Sequence, residues 1–95
     1  MNEVRLEVPN PSGLHARPAA QFVKAASEFK SEIRITNLTR DAERSANGKS
    51  LLGILSLGVS SGHRIRITAD GEDAAAAVER LTRLVDSGLG DPTAR

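Results

Sequence analysis

A chain of 95 residues fits one domain with a modest core and leaves no room for two. Its 39% hydrophobic and 26% charged residues are ordinary for a soluble globular protein. The net charge of +1, with Phe22 and Phe29 as the only aromatics, argues against a basic nucleic-acid patch or a platform for stacking bases. Cysteine is absent, no apolar signal core follows Met1-Asn2-Glu3-Val4-Arg5, and no apolar run approaches the ~20 residues that span a membrane. A cytoplasmic protein with no membrane or nucleic-acid partner is therefore expected.

The first element is a strand, because Val4, Leu6 and Val8 alternate with Glu3, Arg5 and Glu7. Pro9-Asn10-Pro11-Ser12-Gly13 ends it with turn chemistry. From Ala16 to Phe29 the spacing becomes helical, with Ala19, Phe22, Val23, Ala26 and Phe29 on one face. Ile33 and Ile35 alternate with Glu32 and Arg34 in a second strand, a loop follows near Thr39-Arg40-Asp41, and a short third strand is placed at Glu43–Ala46. Ser50 serves as N-cap of a short helix at Leu51–Leu57, which Gly58 ends. Arg64 to Thr68 alternates again as a fourth strand. A turn at Asp70-Gly71-Glu72-Asp73 leads into a last helix whose buried stripe is Ala74, Ala77, Val78, Leu81, Leu84 and Val85. The order β-α-β-β-α-β-α predicts an α+β fold, with a four-stranded antiparallel sheet and helices on one face. The domain is expected over residues 1–88, with 89–95 a flexible tail or linker.

Ser12-Gly13-Leu14-His15-Ala16-Arg17-Pro18 carries the chemistry. It puts a histidine at a helix start, an arginine two residues on, and a proline that fixes a helical φ. The first turn of a helix has unpaired N–H groups and partial positive charge, so it accepts phosphate. Pro18 has no N–H, which leaves those of Ala16 and Arg17. Neutral imidazole is a nucleophile, and the Arg17 fork can hold two oxygens of a phosphoryl group carried by His15. Such transfer rests on positioning and charge stabilisation, so no metal or cofactor is expected. Taken singly, His15 would more often be a solvated or capping residue and Arg17 a surface charge; spacing alone does not decide between these readings.

Gly13-Leu14-His15-Ala16-Arg17-Pro18-Ala19 resembles the active-site signature of the HPr family, the histidine phosphocarriers of the bacterial sugar phosphotransferase system. Lys49-Ser50-Leu51-Leu52-Gly53-Ile54-Leu55-Ser56-Leu57-Gly58 resembles the family's second signature, and Glu72-Asp73-Ala74 begins a helix where the family has one. The likeness covers about residues 3–87. It implies an open-faced β-sandwich. It also implies that His15 takes phosphate on Nδ1 from enzyme I, itself charged by phosphoenolpyruvate, and gives it to enzyme IIA domains. Such a chain is a stoichiometric carrier, not an enzyme, and acts as a monomer. By the same resemblance Arg17 stabilises the phosphoryl group, Ser12 hydrogen-bonds near the histidine, and Ser50 is a regulatory target of HPr kinase/phosphorylase.

Phosphate at the helix N-terminus behind Ser50 need unfold nothing, yet it adds roughly −2 charge beside a docking surface; plain N-capping is the simpler reading of Ser50. The short helix has more apolar residues than one face can bury. Leu51, Leu52 and Leu55 are therefore expected to contact enzyme I and the acceptors, with Ile54 and Leu57 in the core. His63 is read as a surface residue, and Lys24, Lys30 and Lys49 as solvated charges that complement an acidic face of enzyme I. Two features depart from the family pattern: the stretch before Ser50 is about four residues longer than usual, and the Gly/Pro-containing tail is also longer than typical, which fits a free carrier or a domain of a multidomain phosphotransferase. The rival readings are a ferredoxin-like protein- or RNA-binding module and, with little support, a hydrolase using His15 and a serine.

Overall fold

The computed structural model describes residues 2–89. Its elements run β1 (Asn2–Glu7), α1 (Ala16–Ala26), β2 (Glu32–Asn37), β3 (Ser45–Asn47), α2 (Leu51–Ser56), β4 (Arg64–Asp70) and α3 (Ala74–Asp86). The strands form one antiparallel sheet in the order β1-β4-β2-β3. This is the open four-stranded sheet with three helices that the periodicities predict. Its centre is the most apolar strand pair: Ile35 lies opposite Ile67 and Ile33 opposite Ala69, all fully or almost fully buried. On the other side of β4, Val4 pairs with Ile67 and Leu6 with Ile65. Phe22 of α1 and Leu81 and Val85 of α3 complete this core, all fully buried.

Element edges differ from the expectation where tertiary bonds intervene. The first helix ends at Ala26, three residues before Phe29. There the N–H groups of Glu28 and Phe29 bond three residues back, to Ala25 and Ala26, and the tightened turn feeds the chain into β2. The third strand lies at Ser45–Asn47, later than the predicted Glu43–Ala46. Arg34 fixes its register by bonding the Ser45 hydroxyl and carbonyl. Leu57 is the C-cap of α2 and lies in the core, as does Ile54. Leu89, assigned to the tail by sequence, is buried with its N–H on the Leu84 carbonyl. The rest of that tail lies outside the described residues.

A polar clamp joins the start of α3 to the start of β2. Asp73 accepts from the Ser31 hydroxyl at 2.5 Å, the Ser31 N–H at 2.9 Å and the Lys30 N–H at 2.8 Å. Chiefly the Ser31 hydroxyl, then the Lys30 N–H, hold this carboxyl below its ordinary value of 3.8. The folded chain thus binds this proton less readily than the unfolded chain does. Its contribution is complete above the ordinary carboxylate range and is lost as pH falls through the lowered value. In Asp73→Asn, urea midpoints measured from pH 7 down to pH 2 are expected to fall less steeply with acid than in the wild type. Parallel curves would show that the clamp does not couple to folding.

Candidate functional site

Three segments meet where His15 stands. The first is the turn before α1. Asn10 is fully buried; its Nδ2 donates to the Gly13 carbonyl at 2.6 Å, and the Gly13 N–H returns to the Asn10 carbonyl at 3.1 Å. Gly13 has φ +57°, and a Cβ there would collide with the Val59 carbonyl and lie 2.7 Å from the Ser60 Cα. Only glycine combines that dihedral with that approach. Leu14 is then pinned, its side chain buried and its N–H on the Val59 carbonyl at 3.0 Å. With Gly13 and Leu14 anchored ahead of it, His15 is the N-cap of α1 in extended backbone, exposed and with no side-chain cap bond. The imidazole is thus unengaged by its own helix. Sequence reasoning noted Asn10 only as turn chemistry; its burial and its bond to Gly13 are set by the tertiary structure.

The helix begins at Ala16, directly after His15. Among the described residues the N–H groups of Ala16 and Arg17 have no hydrogen-bond partner, Pro18 is buried, and the Arg17 side chain is exposed and makes no ion pair. Ser12 is half-buried in the turn before His15. No group of three metal-ligating side chains forms among the described residues.

The second segment is α2 and the turn behind it. Ser50 caps the helix, its hydroxyl accepting from the Gly53 N–H at 3.1 Å. Leu51, Leu52 and Leu55 are the exposed large hydrophobics, Leu52 at 80%. Leu55 lines a hollow of about 250 Å³ together with Leu14, His15, Arg40, Gly58, Val59 and Ser60. The structure thus brings Leu55 to the histidine; Arg17 and Ser50 are not among the residues lining that hollow.

The third segment is the loop 38–44, fastened by Asn37. That side chain is buried; its Oδ1 accepts from the N–H groups of Thr39 and Arg40, while its Nδ2 reaches the Leu57 carbonyl and His63 Nδ1, both at 3.1 Å. His63 Nδ1 also accepts from the Ser60 N–H at 3.1 Å. The expectation that His63 is a plain surface residue is therefore corrected. It is half-buried and ties the 58–62 turn, against which Gly13 and Leu14 pack, to β2. Lys49 is corrected likewise: its Nζ donates to the Phe29 carbonyl at 2.7 Å, so it bridges two elements and is not a free charge. No periodicity marks either bond, because the partners come from distant segments.

Residues 2–87 match the family model described as the PTS HPr component phosphorylation site. The chain is 45% identical over 80 residues to the phosphocarrier protein HPr of Haemophilus influenzae, covering 84% of this chain and 89% of that one. It is 46% identical over 84 residues to the multiphosphoryl transfer protein of the same organism, covering 88% of this chain but only 17% of that relative's length. Among solved structures, HPr-C-His from Thermoanaerobacter tengcongensis superposes with a TM-score of 0.87 at 43% identity, over 96% of this chain and 98% of that one. An HPr dimer from that organism superposes at 0.72.

Proposed function

The chain belongs to the HPr family of the phosphotransferase system, and on that premise we propose that it is a phosphocarrier: His15 accepts a phosphoryl group from phospho-enzyme I and passes it to enzyme IIA domains. One observation carries the reading. The His15 ring is exposed on an anchored turn, with the free N–H groups of Ala16 and Arg17 and the Arg17 guanidinium following it. The His15 Nδ1 lone pair forms the N–P bond as the donor's bond to phosphorus breaks and its electron pair returns to the donor. The helix N–H groups and Arg17 balance the phosphoryl charge. In the second transfer the acceptor attacks phosphorus and His15 leaves as free imidazole. The chain emerges unchanged from the two steps, which makes it a carrier and not an enzyme, working in the cytoplasm as a monomer. Leu51, Leu52 and Leu55 are exposed on α2, and Leu55 lines the hollow, so this apolar helix suits docking of both partners. Incubation with phosphoenolpyruvate, magnesium and enzyme I is expected to add one acid-labile phosphate by intact mass. No gain with enzyme I from several sources, in folded protein, would favour the binding-module reading.

Ser50 is proposed as a second modified residue. Its hydroxyl already sits at the helix N-terminus against the Gly53 N–H, so an added phosphate meets the same donors without unfolding α2. With HPr kinase/phosphorylase and ATP, the wild type is expected to gain an acid-stable phosphate that Ser50→Ala does not. The same gain in both would place the modification elsewhere.

A further inference from the structure

We propose that Arg40 supplies a second guanidinium to the phosphoryl group carried by His15, an inference that rests on the carrier reading above. Arg40 comes from the loop 38–44, not from the helix start, yet it lines the same hollow as His15. Its placement is built from both ends. At the backbone, its N–H is held by the Oδ1 of the buried Asn37 at 3.3 Å. At the far end, the guanidinium passes close over Gly58, where a Cβ would run into Nη1 and stand 3.3 Å from Cζ. Gly58 has φ +60°, so this residue serves both the turn that ends α2 and the passage of the arginine.

The charge of Arg40 is not consumed elsewhere. Among the described residues its side chain makes no hydrogen bond and no ion pair. Asp41 shares with it a neighbouring hollow of about 200 Å³, lined also by Asn37, Arg44, Ser56 and Leu57, but no ion pair joins the two. Arg44 is engaged, its Nη2 on the Ser56 hydroxyl at 3.1 Å. An uncommitted guanidinium lining a hollow with a phosphoryl-accepting ring opposes the roughly −2 charge that ring acquires. Arg40 thus adds, from the hollow it shares with His15, a positive charge to that of Arg17, which follows His15 in the first turn of α1.

Transfer from phospho-enzyme I should be timed for wild type, Arg40→Ala, Arg40→Lys and Arg44→Ala, and the ³¹P resonance of each isolated phosphoprotein titrated. Arg40→Ala is expected to slow transfer about tenfold, Arg40→Lys to recover part of the loss, and Arg44→Ala to stay within about twofold. A nearby cation favours the doubly charged phosphoryl form, so the ³¹P titration of Arg40→Ala should move to higher pH, less so in high salt. Wild-type rate and titration in Arg40→Ala would overturn the assignment while leaving the carrier reading intact. A slowed rate with an unmoved titration would also overturn it, by showing that Arg40 acts on the partner. Failure of the wild type itself to take up phosphate would remove the carrier reading and this assignment with it.

Discussion

His15→Ala is expected to abolish phosphate uptake: with phosphoenolpyruvate and enzyme I, the variant's intact mass stays at that of the bare chain while the wild type gains one phosphate. The loss should be complete because nothing nearby can substitute. The other histidine, His63, has its Nδ1 occupied by the Ser60 N–H and Asn37 and lies outside the hollow. Loss of fold cannot account for the result. The His15 ring is exposed and makes no cap bond, so its removal should cost no more than about 0.5 kcal/mol. Thermal unfolding of the variant should therefore match the wild type. An acid-labile phosphate that persists in His15→Ala would sink the assignment.

Phe22→Ala should do the reverse, destroying stability while leaving the reacting group in place. Phe22 is fully buried on the inner face of α1, among the aliphatic side chains of the core. Its truncation removes the largest of the buried side chains and leaves a cavity, a loss of about 3–5 kcal/mol. Domains hold only about 5–15 kcal/mol in all, so this is a large share. The urea midpoint should fall by roughly 2 M at a slope typical of small proteins. Below that midpoint, phosphate uptake per folded molecule should be retained, because the His15 turn is anchored through Asn10, Gly13 and Leu14 and not through the ring. A drop under about 1 kcal/mol would show that α1 repacks over the gap.

How much of this was legible beforehand depends on the range of the interaction involved. Order and type of the seven elements, the stripe of α3, the cap at Ser50 and the helix start at His15 all follow from residues within four positions of one another. Local periodicity and local turn chemistry are written in consecutive residues, so the sequence determined them alone. The same holds for the surplus of leucines on α2, because six residues cannot turn that many apolar side chains inward.

Only the tertiary structure decided the rest. The strand order β1-β4-β2-β3 puts the last strand in the middle, and nothing in an alternating pattern says which strand will be its neighbour. The polar clamps join Asp73 to Ser31, Asn37 to His63 and Lys49 to Phe29, pairs separated by 42, 26 and 20 positions. A single Asn or His of this kind leaves no repeat to detect; its role is set by which donors and acceptors lose water beside it when the chain closes. The same closure carries Arg40 over Gly58 to the hollow that holds His15. Periodic apolar residues specify the elements through a collective, non-directional force, whereas a polar contact is directional and needs both partners in place. This is why the residue proposed to carry the phosphoryl group could be named from the chain, and the polar contacts that hold its surroundings could not.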